Sequence, residues 1–381
     1  MTVGETTMAI ALADSLFLSI SPDAARTKVI LFLAVSIAPF AVVSPFVGPF
    51  IDRMKGGHRA VVMLVGVLRA VVLVAMAWNL DSLTLFPLAF SALILGKTYA
   101  IAKSAIVPSI VKDDEKLVAS NSKLGQVAGI TGFVVAVPAG LLQLVSSQAT
   151  LILGAGAFIA AALNAYRLTQ LKSKKTVDAQ LESEELHSSL VVNAANAMRT
   201  LRGIVGFMFF HLAFWLRGED AGTAWFGLAV AMSGLATLAA NFAGPTLRSK
   251  MRESIMLMAS LVAICVAGIF ATWYDRVVGG IILAAVVNAA AAIGRLAFES
   301  TVQSGAPDAN RGRAFARFET QNQMAWVLGG LIPVAVSPSG AVGFAIVAIV
   351  GVIGAVNFAR SDSGIMRSRG ARATNRAHRL H

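Results

Sequence analysis

At 381 residues, with 56% hydrophobic side chains, only 14% charged ones and a mean hydropathy of +0.73, the chain lies far from the roughly 25% charged composition of a soluble domain. That excludes an ordinary soluble fold, and the single cysteine, Cys265, excludes a disulfide framework or a cysteine-rich metal site. A net charge of +12 would point to nucleic acid in a soluble protein; here the bases gather in loops between apolar runs, which points to membrane topology.

A helix needs roughly 20 mostly apolar residues to cross the ~30 Å hydrocarbon layer, where backbone groups find no water to bond. In chain order the apolar runs predict spans over about 4–20, 29–50, 60–80, 84–110, 122–143, 150–168, 203–217, 223–246, 255–274, 277–301, 317–336 and 340–359. The spans 4–20 and 203–217 are short for a full crossing. The first begins almost at Met1 without a polar lead, so either this helix is truncated or the native start lies upstream. Glu5, Asp14 and the missing basic start argue against a cleaved signal peptide.

Placing the N-terminus inside puts most of the 32 lysines and arginines on one side of the membrane. The expectation is a multi-pass plasma-membrane protein with both termini cytoplasmic. Trp78, Trp215, Trp225, Trp273 and Tyr274 then fall at outer helix ends, as an interfacial aromatic belt would place them. The chain divides into a six-helix half over 1–170, a cytoplasmic linker over 171–200, a second six-helix half over 201–360 and a basic tail over 361–381. In the linker, Lys172, Lys174 and Lys175 precede Glu182, Glu184 and Glu185, and its second part suits an amphipathic helix on the membrane surface. The arginine-, serine- and glycine-rich tail reads as disordered, and its charge suits anionic lipid heads rather than nucleic acid.

The two halves are marked by a repeat. Gly48-Pro-Phe-Ile-Asp52-Arg53-Met-Lys55-Gly56-Gly57-His-Arg59 ends one apolar run, and Gly244-Pro-Thr-Leu-Arg248-Ser-Lys250-Met-Arg252 ends another. Lys103-Ser104 and Glu299-Ser300 stand at the same offset. Gly48, Asp52, Arg53, Gly56 and Arg59 resemble the loop signature of the major facilitator superfamily, usually Gly-xxx-Asp-Arg-x-Gly-Arg-Arg, with the later Gly and the final base displaced by two positions. Twelve spans and a parallel repeat of halves also resemble this superfamily. Pro108 with Leu117-Val-Ala-Ser-Asn121 resembles its exporter branches. Two departures stand out: Lys97 and Ile101 replace the Arg and Gly often seen in the fourth span. The fifth-span exporter string is reduced to Gly125, Gly129, Gly132, Pro138 and Gly140.

The resemblance implies an all-α membrane transporter whose central cavity is lined by the first, fourth, seventh and tenth helices. It also implies that Asp52 faces the N-terminus of the eleventh helix as a cytoplasmic gate, where a carboxylate can accept free helix N–H groups. A tight turn obeying the topology rule is the plainer reading of the same loop. In the second copy Arg248 stands in the place of Asp52, so only the first could clamp in this way.

An ionisable side chain at mid-membrane costs at least ~2.5–3.5 kcal/mol, so each is a functional candidate. Asp14, Arg69, Lys97, Lys103, His211, Arg295 and Glu299 lie within spans, and all but Arg69 fall on the four helices named above. Arg295 and Glu299, four apart, share a face and can pair. Asp14 and Glu299 are the expected proton-coupling carboxylates, since desolvation disfavours their charged form; Asp14 could instead pair with a base such as Lys97. Lys97 and Lys103 complete the candidate path, although Lys103 could simply snorkel. Arg69 suggests a structural partner within the first half, and His211 a satisfied core group. The excess of in-span bases favours an anionic or zwitterionic substrate. No Gly-xxxx-Gly-Lys-[Ser/Thr] string, catalytic Ser/His/Asp arrangement or metal-spaced cluster occurs, so neither an enzyme, a cofactor nor a metal site is expected. The expected function is proton-coupled export of a small molecule by a monomer whose other partners are membrane lipids. The alternative is a non-transporting scaffold or sensor retaining the fold, favoured by the short first helix and the reduced fifth-span string.

Overall fold

In the computed structural model, which describes residues 1–17, 57–80, 82, 84–110, 116–167, 187–216, 222–305 and 311–378, the apolar runs are helices. Among the described residues there are eleven and no strand: α1 (Thr2–Phe17), α2 (Gly57–Ala77), α3 (Leu85–Ile110), α4 (Leu117–Val145), α5 (Ser147–Ala165), α6 (Ser189–Trp215), α7 (Gly222–Lys250), α8 (Glu253–Tyr274), α9 (Val277–Gly305), α10 (Arg311–Val336) and α11 (Gly340–His378). The predicted span over 29–50 lies outside the described residues, so a twelve-helix count is compatible with what is seen. Seven of the helices are long and apolar enough to cross a membrane. Their outward faces carry large apolar side chains such as Val127, Val134, Val137 and Leu141 on α4, which fits a lipid solvent and not water.

Short turns separate the helices where local chemistry stops them. Between α4 and α5, Ser146 caps the new helix by accepting a hydrogen bond from the Ala149 amide at 3.1 Å. Asp275 (φ 32°) ends α8 in the left-handed region, and Ser337 (φ 48°) turns the chain after α10, just before Pro338. Pro138, Pro245 and Pro333 sit inside α4, α7 and α10, tolerated in membrane helices because neighbouring groups re-satisfy the freed carbonyls.

The structure comprises two compact units. One contains Met1–Lys112, Leu124–Thr176 and Asn310–Thr320; the other contains Asp113–Lys123, Val177–Ala309 and Gln321–His381. The core of the first is built from Ala11 of α1, Ala70, Leu73 and Met76 of α2, Ala92 of α3, and Leu151 and Phe158 of α5. Close approach there depends on small residues: a Cβ on Gly66 would lie 2.9 Å from that of Ala162. In the second unit, Leu201, Leu257, Leu261, Leu283, Val287, Leu296 and Phe344 are buried. Its α6 crosses α10 backbone to backbone: a Cβ on Gly206 would strike the Trp326 carbonyl, and one on Gly329 the Gly203 carbonyl.

Three sequence expectations need correction. The span placed at 203–217 belongs to a 27-residue helix beginning at Ser189, so 189–200 is not a separate helix on the membrane surface. Val191, Ala194, Ala195, Met198 and Leu201 form a buried stripe at helical spacing, and Asn193 Nδ2 donates to the Phe358 carbonyl at 3.3 Å. The tail expected to be disordered continues α11 as far as His378; its alanines and arginines favour helix, and α11 supplies the nucleus. Trp215, expected in an interfacial belt, turns inward against His211 and Phe344, whereas Trp78 and Trp273 remain largely exposed.

Candidate functional site

In the first unit two basic side chains within the helices, Arg69 and Lys97, face carboxylates. Arg69 of α2 is 1% exposed; its Nη1 donates to Glu5 Oε1 of α1 at 2.7 Å, and its guanidinium lies 4.2 Å above the Phe158 ring of α5. Gly96 of α3 packs beside it, the position of a Cβ there being 3.5 Å from Arg69 Nη2, an ordinary contact distance. Arg69 Nε has no hydrogen-bond partner. The expected structural partner of Arg69 therefore exists. It is Glu5, in the first turn of α1.

Lys97 of α3 donates to Glu319 Oε1 of α10 at 2.9 Å, with side-chain exposures of 27% and 31%. Glu319 lies inside the expected 317–336 span but was absent from the candidate list. The partner of Lys97 seen here is thus Glu319; Asp14 lies on α1, where only its backbone is described. Lys103, six residues further along α3, is partly buried and not without a partner. Of the signature residues, Gly48, Asp52, Arg53 and Gly56 lie outside the described residues. Arg59, at the start of α2, places its guanidinium 4.2 Å over the Tyr166 ring at the end of α5.

In the second unit Arg295 and Glu299 of α9 face each other at 3.8 Å, as their spacing predicts. The second copy of the loop signature carries its own network. Arg248 Nε donates to Glu253 Oε1 at 2.9 Å, and Ser300 Oγ donates to the same oxygen at 3.0 Å, tying α7, α8 and α9. Glu253 sits in the first turn of α8, where the helix dipole favours a carboxylate. Two polar residues of the Leu117–Asn121 neighbourhood join the same unit: Asn121 Nδ2 donates to Gln303 Oε1 at 3.0 Å, and Ser122 Oγ donates to the Asn241 carbonyl. His211 is buried between Phe207 and Trp215, with Phe344 edge-on. That is the packing of a core group, but its Nε2 has no partner. Among the described residues no three or more His, Cys, Asp or Glu side chains converge.

An all-α chain with several membrane-crossing helices, charged pairs within them and a repeated loop signature has the architecture of a polytopic transporter. The family model of the Major Facilitator Superfamily matches residues 3–330, and the chain belongs to that superfamily. It is similar to an uncharacterized protein of Mycobacterium leprae, 28% identical over 92% of this chain and 67% of that one. An uncharacterized protein of Mycobacterium tuberculosis is 27% identical over 92% of this chain and 70% of that one. Among solved structures, a bacterial homologue of the iron transporter ferroportin in its outward-facing state superposes with a TM-score of 0.71 at 14% identity, covering 95% of this chain and 96% of that one. The transporter FucP in the outward conformation gives 0.66 at 13% identity, over 94% and 95%. At such identities the likeness is one of fold, and the protein is a membrane transporter of that fold.

Proposed function

We propose that this chain is a secondary active transporter that exports a small molecule across the cytoplasmic membrane by alternating access, driven by protons. The observation carrying the reading is the Lys97–Glu319 pair: two half-open side chains on helices from opposite ends of the sequence, 2.9 Å apart. Protonating Glu319 removes the carboxylate charge that faces the Lys97 ammonium, so one proton weakens the link between α3 and α10 and favours their rearrangement. Asp14, Lys103, Arg295 and Glu299 are the further candidates for the path. Gly48, Asp52, Arg53, Gly56 and Arg59 form the proposed gate at the cytoplasmic side, and the Arg59–Tyr166 stack would hold one end of it in place. The proposed halves are 1–170 and 201–360.

The test is flux in proteoliposomes with and without an imposed pH gradient, across a panel of solutes. Glu319→Gln is expected to abolish the gradient dependence while solute exchange at equal pH persists. Asp52→Asn is expected to abolish both while expression stays intact. An unchanged gradient dependence in Glu319→Gln would sink the coupling assignment. Absence of gradient-driven flux for every solute would favour a scaffold.

A further inference from the structure

We infer that the second unit carries a binding site for a neutral, flat, largely apolar molecule that donates a hydrogen bond. The site's purpose as a substrate site rests on the transporter reading; its chemistry does not. A cavity of about 230 Å³ lies between α6, α7, α9 and α10. A dry cavity on the order of 150 Å³ already accepts benzene, so this one has room for a fused two-ring system. Phe209, Phe226 and Trp326 line it. Phe226 meets Phe209 edge-on, with centroids 5.6 Å apart, and Trp326 stands 6.5 Å from Phe209. Flat rings pack best against such walls in offset or edge-on arrangements. Trp326 is fixed in place because α10 meets Gly206 of α6 at the Trp326 backbone.

Among the described residues the polar lining consists of Ser233, Thr237 and Asn288, without any acid, base or histidine. An ion entering would lose its water without gaining a counter-charge. Two of these three side chains already spend a donor on the backbone. Thr237 Oγ1 donates to the Ser233 carbonyl at 2.9 Å, and Asn288 Nδ2 donates to the Ala284 carbonyl at 2.9 Å. A carbonyl can only accept, so the Asn288 amide nitrogen must face it. This leaves Asn288 Oδ1 and Thr237 Oγ1 as acceptors, complementary to a donor on the ligand, beside the Ser233 hydroxyl.

The in-span bases that favoured an anionic substrate in the sequence have other employment. Arg69 is held by Glu5, Lys97 by Glu319, and Arg295 faces Glu299. None of the three needs an anionic ligand to balance its charge.

The probes are β-naphthol, its methyl ether and β-naphthoate, measured by equilibrium dialysis against the purified full-length chain in detergent, with empty micelles subtracted. Saturable one-to-one binding of β-naphthol is expected, with the ether and the naphthoate each at least tenfold weaker. Asn288→Leu is expected to bring β-naphthol down to the level of the ether and leave the ether unchanged. Trp326→Ala is expected to weaken both neutral probes. The naphthol-to-ether ratio is internal to each protein, so a loss of active fraction does not imitate the result. Uptake equal to empty micelles, naphthoate binding as tightly as naphthol, or an unaltered ratio in Asn288→Leu would each overturn the site. Because no gradient is applied, failure of proton coupling leaves the measurement standing, and absence of binding leaves the coupling test standing.

Discussion

Replacing Glu5 with glutamine tests whether Arg69 is neutralised by a partner or merely shielded. The arginine side chain is 2% exposed and the glutamate 43%. Removing one member of a fully buried pair costs about 3–5 kcal/mol. Here the open flank of Glu5 admits screening, and glutamine still offers an acceptor. What remains is roughly the loss of one of the two charges from a bond that keeps its ionised donor, on the order of 1–1.5 kcal/mol. The Phe158 ring, 4.2 Å from the guanidinium, contributes up to about 2 kcal/mol of cation–π attraction that the substitution does not touch. We therefore expect Glu5→Gln to destabilise by about 1–2 kcal/mol, and Arg69→Gln by more, because it also forfeits the ring. Unfolding in mixed micelles on added dodecyl sulfate, followed by tryptophan fluorescence, gives each value. The two changes combined should cost less than their sum by at least ~1 kcal/mol. Additivity to within ~0.5 kcal/mol would show that the pair is geometry without energy and refute the reasoning.

At the α6–α10 crossing, Gly206→Leu should abolish folded, monodisperse protein in size-exclusion chromatography, since even a Cβ strikes the Trp326 carbonyl. Gly227→Ala, with nothing within 4 Å of the new methyl, should be neutral. Asn121→Ala should lower stability by about 1 kcal/mol, through loss of its buried hydrogen bond to Gln303. The Asn121→Leu/Gln303→Leu pair should recover part of that loss in the same unfolding assay. Arg248→Ala should cost at most about 1 kcal/mol, because both Arg248 and Glu253 are about one-fifth exposed and Ser300 still donates to the carboxylate.

The helices were legible because hydropathy reports the solvent a segment meets, and that solvent is uniform along each run. Partner choice was not legible in the same way. Glu5 lies in the first turn of α1, yet depth in a bundle is set by the register of the neighbouring helix, and α2 brings Arg69 level with it. Glu319 sat within a predicted span, but its partner is 222 residues away, a separation that local spacing cannot bridge. The in-helix pair Arg295–Glu299 could be read directly because four residues define a face. The true start of α6 was hidden for a different reason. Asn193 and Asn196 lower the hydropathy of a stretch one face of which is buried in the protein, so a lipid scale began the helix too late. His211 was read as a core group, and its aromatic surroundings agree; the unpartnered Nε2 could come only from coordinates.

The Glu5–Arg69 contact also has a bearing on how the chain is made. Glu5 leaves the ribosome before Arg69, so when α2 enters the bilayer the carboxylate that receives its guanidinium has already been synthesised. An arginine inserted alone near mid-membrane costs at least ~2.5 kcal/mol, which is enough to hold back a helix of otherwise favourable composition. Retaining α1 beside the insertion machinery until α2 arrives would remove that obstacle. The first helix would then serve in biogenesis as the counter-ion that lets the next described one settle.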